Sequence, residues 1–354
     1  MVDSQDLRFG DQRVPAGTRS DIDIAVTESY SGVPVRIPIH VWRAAAPGPI
    51  VFVTAAVHGD EVNGTGIVRA LILDPPFKLE TGALVLAPVV NMLGFDRHAR
   101  YLPDRRDLNR CFPGFAGGSL AGRYAATVFH EIVKKCDYGI DLHTAAVRRT
   151  NFPNVRANLK NPEVRRIADA FGCELVINSP GPKGSLRRSA SHARCPTIIL
   201  EAGEVWKIES GVVQYGVRGI RNVLIELGMV NARQIRPPYQ AHIEKTKWIR
   251  AESGGVLQFH VAPGDVVDKG QAIATNATLL GREQNVIHSP CGGIVLGMTT
   301  LPAVTPGDPI CHIAIPPGGV GPIRAALDKA SNRSLRERLR GDLATSMDVS
   351  EHLE

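Results

Sequence analysis

The chain has 354 residues, 44% of them hydrophobic and 5% aromatic, with a formal charge of +6, which suffices for one large core plus a smaller module. No apolar run approaches the roughly 20 residues of a membrane span, and the acidic start MVDSQDLRFG lacks the basic and apolar regions of a signal peptide, so a cytoplasmic protein is expected. The positive excess is no nucleic-acid signature, because bases alternate with acids and no stacking platform or recognition motif accompanies them.

Taken in chain order, four short apolar runs each end in a residue capable of chemistry. IVFVTAAV runs into His58, ALVLAPVV into Asn91, YGIDL into His143 and PTIIL into Glu201. Near-continuous aliphatic runs of this length fit strands buried on both faces of a parallel or mixed sheet. Between the second and third lies DRHARYLPDRRDLNRCFPG, with five arginines from Arg97 to Arg110, a concentration suited to a small anion. NPEVRRIADAFG reads as a helix with Asn161 as N-cap, Pro162 at its first position and Gly172 just past its end. SGVVQYGVRGIRNVLIELG reads as another, with Val213, Val217, Ile220, Leu224 and Leu227 on the core face and Gly228 as terminator. Strands alternating with helices predict an open α/β sheet, whose ligands bind beyond the carboxyl ends of the strands. The four endpoints are therefore expected to meet in one crevice.

The six cysteines are scattered without a Cys-x-x-Cys pair, so neither a disulfide framework nor a thiolate zinc site is signalled. His58 and Glu61 supply a different donor set. Their His-x-x-Glu spacing lets a strand-end residue and one at the start of the next helix point at one ion, and His143, at another strand end, adds a third ligand. Two imidazoles and a carboxylate with an open fourth position are a usual catalytic zinc set. Asp141, two residues before His143 and on the same strand face, either orients that ligand or pairs with an arginine.

HGDE, DLNR, DLHT and LEAGE, in this order, resemble the succinylglutamate desuccinylase and aspartoacylase family, zinc amidohydrolases of zinc-carboxypeptidase-like fold, over about residues 20 to 315. The resemblance implies one zinc per chain held by His58, Glu61 and His143, with Glu201 activating water. It also implies Asn109 and Arg110 as the grip on a substrate carboxylate and Arg100 as the group polarising the scissile carbonyl, with Arg97 and Arg105 as alternatives to Arg100. The chemistry agrees: amide cleavage needs a base that returns its proton to the leaving amine, and the arginine fork suits a carboxylate. Glu204 competes with Glu201, which directly follows the apolar strand.

The expected organisation is a hydrolase domain over 1–240, a β module over 246–315 and a charged, helical tail over 322–354 with a mobile end. Within the module, Gly254 to Leu257 match Gly292 to Val295, and Pro263-Gly264-Asp265 match Pro306-Gly307-Asp308, which predicts a small twofold β-barrel or sandwich. It resembles the biotinyl and lipoyl carrier domain, but the link TNATLLGREQNVIH has no lysine to carry a prosthetic group, so a packing or lid role is expected. The expected activity is hydrolysis of the amide of an N-acyl amino acid, with a small-molecule substrate, no nucleic-acid or membrane partner, and a homo-oligomer as an option. The family's longer members suggest N-acetyl-diaminobutyrate beside succinylglutamate and acetylaspartate. The competing readings are a metallocarboxypeptidase and a non-catalytic binding or scaffold module. The missing signal or pro-segment and the β module weigh against the first, and the full set of catalytic residue types against the second.

Overall fold

The computed structural model describes residues 7–282, 284–330 and 335–344. Its spine is a 13-stranded mixed sheet. The principal strands in chain order are β1 (Arg19–Glu28), β2 (Pro34–Arg43), β3 (Ala46–Ala55), β4 (Thr81–Ala87), β5 (Tyr138–His143), β6 (Arg149–Ala157), β7 (Leu175–Asn178), β8 (Thr197–Gly203), β9 (Lys245–Arg250), β10 (Gly293–Thr299) and β11 (Pro309–Ile315). Across the sheet they run β9-β11-β10-β6-β8-β5-β3-β4-β2-β1, with β7 beside β6.

The four runs read as buried strands are the four adjacent central strands β8, β5, β3 and β4, all mutually parallel. Their alternation explains the near-continuous hydrophobicity. Val51 and Val53 join the core cluster on one face, while Ile50 and Phe52 join that on the other, so both halves of the pleat need apolar side chains. The first face carries α1 (Asn63–Leu73), and the second carries α2 (Leu120–Glu131). Helices α3 (Pro162–Phe171) and α5 (Ser210–Glu226) return to the first face, and α4 (Leu186–His192) to the second. Among the described residues no helix is long and apolar enough to cross a membrane.

Helix α3 has the expected ends: the Asn161 side chain accepts from the Glu163 and Val164 amides, and Gly172 is left-handed. The expected face of α5 does pack on the core, with Ile220 and Leu224 fully buried and Val213, Val217 and Leu227 half-buried at its edge. The contact is wider than expected, taking in Val212, Tyr215, Gly216, Gly219 and Val223 as well. Apolar periodicity overlooks glycine, and here two glycines form the contact surface. A Cβ on Gly216 would lie 2.3 Å from Ile67 of α1, and one on Gly219 2.1 Å from the fully buried Phe171 ring. Gly219→Ala is therefore expected to destabilise by about 1–2 kcal/mol in denaturant unfolding, overpacking outweighing the helix-propensity gain. Gly341, in helix α7 (Leu335–Ala344), has open space around its missing Cβ. There the same change should stabilise by up to about 1 kcal/mol.

The C-terminal strands divide between two sheets. Gly255–Phe259, Ala272–Ala277, Gln284–His288 and Ala303–Val304 form their own four-stranded antiparallel sheet. Strands β9, β11 and β10 instead continue the central sheet, because β10 pairs antiparallel with β6 through Gly297, Met298 and Thr299 against Asn151, Thr150 and Arg149. In the tail, helices α6 (Gly321–Asp328) and α7 are present, and α7 buries Leu339 and Leu343 in the main core. The mobile end expected for the tail falls at 345–354, outside the described residues.

Candidate active site

Three of the four strand ends do meet. The chain leaves β3 through Ala56 in the left-handed region (φ 49°), which turns His58 and Glu61 back over the sheet. Gly59 permits this path, since a Cβ there would stand 2.1 Å from the Gly94 backbone. On the neighbouring strand β5, His143 arrives in register with Glu201 of β8, so the two side chains leave the same face. The fourth endpoint needs correction. Asn91 is a fully buried cap for the Met92–Phe95 turn, accepting from the Gly94 amide and donating to the carbonyls of Val57 and Arg100. It holds the two loops that carry His58 and Arg100 and does not line the crevice.

His58, Glu61 and His143 are all buried, and one donor atom from each lies within 4.8 Å of the others. Nδ1 of His58 is 2.6 Å from Glu61 Oε1, and Nδ1 of His143 is 2.8 Å from Oε2. The far nitrogens are both occupied. His143 Nε2 is 2.8 Å from Asp141 Oδ2, and His58 Nε2 is 3.1 Å from Asp107 Oδ1. Asp141 is itself held by the Thr54 hydroxyl from β3 at 2.8 Å, which settles the two readings of that residue: it orients His143. An Nε2–H donated to a carboxylate leaves Nδ1 as a lone pair aimed at the Glu61 side, the arrangement that metal-binding histidines require.

The electrostatics match. Burial alone would lower the pKa of His143, but Asp141 and Glu61 outweigh it and hold a proton on the ring well above its ordinary range. Burial also opposes the ionisation of Glu61, yet His58 and His143 keep its carboxyl well below the usual range. A divalent cation would take the place of the protons shared among these groups. The donor set thus fits a metal such as zinc.

Around it lies a crevice of about 370 Å³ lined by Arg100, Asn109, Arg110 and Glu201 among others. A larger groove of about 1120 Å³, at the amino ends of the same strands beside Pro47 and Tyr138, holds none of the metal-ligating residues. Arg100 binds Glu61 Oε1 at 3.2 Å and Asp107 Oδ2 at 2.9 Å. Arg97 and Arg105 are exposed and outside the crevice. Asn109 accepts from the Leu186 amide at 2.9 Å, leaving its NH2 as the available donor, and Arg110 donates to the Asn109 carbonyl at 2.8 Å. Glu201 is partly exposed in the crevice, 3.3 Å from Asn151 Nδ2 and 3.7 Å from Arg156 Nε. Glu204 lies outside it, with one oxygen on Lys207 at 2.6 Å and the other on the Thr300 hydroxyl at 2.7 Å.

Sequence reading missed several residues at the site. Asp107, behind the donor set, is largely covered, and although burial opposes its ionisation, His58 and Arg100 hold its carboxyl well below the usual range. Arg187, 4% exposed, follows the helix-capping Ser185, and its Nε and Nη1 have no partner among the described residues. Burial and then Arg156 push it down to about 10. Arg149 and Arg156 of β6, and Trp248 and His312 of the C-terminal strands, complete the lining.

Known proteins share the sequence and the fold of this chain. The profile of the family described as "Succinylglutamate desuccinylase/Aspartoacylase catalytic domain" matches residues 47–227. The chain is 25% identical over 315 residues, 83% of this chain and 89% of its relative, to the N-alpha-acetyl-L-2,4-diaminobutyric acid deacetylase of Halomonas elongata. The fold is shared with a succinylglutamatedesuccinylase/aspartoacylase from Rhodobacter sphaeroides (TM-score 0.71, 24% identity, 83% of this chain and 95% of that one). It is shared equally with the product-bound ectoine utilization protein EutE (DoeB) of Ruegeria pomeroyi (TM-score 0.72, 20% identity, 83% and 94%).

Proposed function

Because the chain belongs to the succinylglutamate desuccinylase/aspartoacylase catalytic-domain family, we propose that it is a zinc-dependent hydrolase that cleaves the amide of an N-acyl amino acid into a carboxylate and a free amine. The observation that carries this reading is the convergence of His58, Glu61 and His143, each imidazole turned by its own aspartate, beside the partly exposed Glu201 in an arginine-lined crevice.

His58, Glu61 and His143 would hold the zinc, which when bound polarises a carbonyl and makes a water acidic enough to lose its proton near neutral pH. Glu201 takes that proton and returns it to the departing amine. Arg100, anchored by Asp107 and Glu61, has its guanidinium at the edge of the donor set, where it can steady the negative charge that grows on the carbonyl oxygen. Arg110 and the Asn109 NH2 bind the carboxylate of the amino-acid half. Buried Asp141 and the largely covered Asp107 take the Nε2 side of each imidazole and so favour the tautomer that turns the Nδ1 lone pair toward the donor set.

Purified protein should carry about one zinc per chain by elemental analysis and hydrolyse at least one member of a panel of N-acetyl and N-succinyl amino acids. Chelation should abolish turnover, and zinc should restore it. Full activity in metal-free protein would refute the reading.

A further inference from the structure

Glu201 takes its direction from an irregularity in the neighbouring strand. β8 pairs antiparallel with β6, with Glu201 opposite Asn154 and Gly203 opposite Asn151. Between those two pairs β8 advances two residues and β6 three, so β6 carries a bulge over Phe152 and Pro153. Proline suits it, having no N–H to give to a ladder. The extra residue breaks the alternation of sides. Phe152 and Val155, three apart, both enter the core, while Asn151 and Arg156, five apart, both line the crevice. A regular strand would send the members of each pair to opposite faces. Bulges of this kind re-aim side chains beside reactive sites.

The bulged segment grips Glu201 twice. Asn151 Nδ2 is 3.3 Å from Glu201 Oε2, and Nδ2 of the fully buried Asn154 is 3.3 Å from the Glu201 carbonyl oxygen. On its other side Asn151 lies opposite Gly297 of β10, where a Cβ would stand 2.5 Å from Asn151 Oδ1 and 2.9 Å from the Thr150 carbonyl oxygen. A side chain there would press Asn151 out of its place. Arg156 Nε approaches Glu201 Oε1 only to 3.7 Å, so a Glu201 released from Asn151 has an ion pair to collapse into.

Resting on the deacylase reading, we propose that Asn151 is a positioning residue for the base, and that Gly297 of the C-terminal strands holds Asn151 in place to act as one. The amide donates to Oε2, an acceptor-only atom of the carboxylate, and so fixes the carboxylate plane. It keeps the group turned to the crevice and off Arg156, with Oε1 left to take up and return the proton. Such a role acts on the geometry of the reacting atoms, where a misplacement of about 1 Å costs on the order of 10²-fold. Its loss therefore falls on kcat.

The test is kcat and KM of full-length, zinc-loaded protein on the N-acyl amino acid that it cleaves best, together with zinc content. Asn151→Ala should lose about 10- to 100-fold in kcat, with KM within about threefold of wild type and zinc retained. Asn151→Asp keeps the volume but replaces the donor with a like charge, and should lose at least as much. Gly297→Ala should repeat the kcat loss, and the double variant Asn151→Ala/Gly297→Ala should add little to it, because both changes delete one contact. A kcat within about threefold of wild type in Asn151→Ala, a loss confined to KM, or full activity in Asn151→Asp overturns the inference. The Asn151 variants decide it even where Gly297→Ala does not fold, and additive losses overturn the part assigned to Gly297. If no N-acyl compound is turned over, the deacylase reading fails instead. Crystal structures of wild type and Asn151→Ala then decide the positioning by themselves: a Glu201 carboxylate moved onto Arg156 supports it, and an unmoved one refutes it.

Discussion

Glu201→Gln is expected to keep its zinc and lose about 10² to 10⁴ in kcat, the usual worth of a positioned acid–base group. The substitution keeps shape and the hydrogen bond from Asn151, so the crevice should survive. What disappears is, among the described residues, the only carboxylate of the lining outside the donor set, and with it the place where the proton waits between leaving water and reaching the amine. Glu204→Gln is the comparison. Both its oxygens are engaged, by Lys207 and by Thr300, so that variant should stay within a few-fold of wild type. A dead Glu204 variant beside a fully active Glu201 variant would move the base from one to the other.

The second large effect concerns the donor set. His143→Ala should lose both bound zinc and measurable turnover, because two remaining ligands are too few for the usual three-ligand catalytic site. Asp141→Asn should fall between that variant and wild type. Its side-chain oxygen can still accept from His143 Nε2, but the negative charge that raises the ligand's basicity is gone, a change typically worth about 10- to 100-fold in metal affinity. Competition with a chromogenic chelator measures both. Equal zinc affinity in wild type and Asp141→Asn would show that the carboxylate behind the ring does not tune the site.

The central strands and the donor set were legible because their determinants are local. An apolar run announces a buried strand, and a histidine or glutamate at its end falls where parallel strands present ligands. His58, Glu61 and His143 are brought together for that reason, and Glu201 stands in register with His143. Asn91 occupied the same kind of position yet became a cap, since a strand end says where a side chain begins and not what it meets. The C-terminal part of the lining was illegible for a different reason. Trp248 and His312 meet through strand pairing across 64 residues of chain, and Arg149 reaches them only because β10 continues the sheet of β6. Arg187 sits in SLRRS, where nothing in the local pattern separates a buried arginine from the exposed ones. The glycines of the α5 contact escaped because glycine, whose value there is the absence of a side chain, carries no hydrophobic signal.

The joint between β10 and β6 also determines where the chain can be cut. Two modules tied by a flexible linker can be parted and handled separately, but here they are joined by a backbone hydrogen-bond ladder within one continuous sheet. A fragment ending near residue 244 would leave the backbone from Arg149 to Asn151 without a partner on one side and uncover the apolar surface beneath Ile294 and Leu296. An open strand edge of that kind is a template for pairing with other chains. Such a fragment would tend toward self-association, and its inactivity would say nothing about the chemistry of the residues it retains.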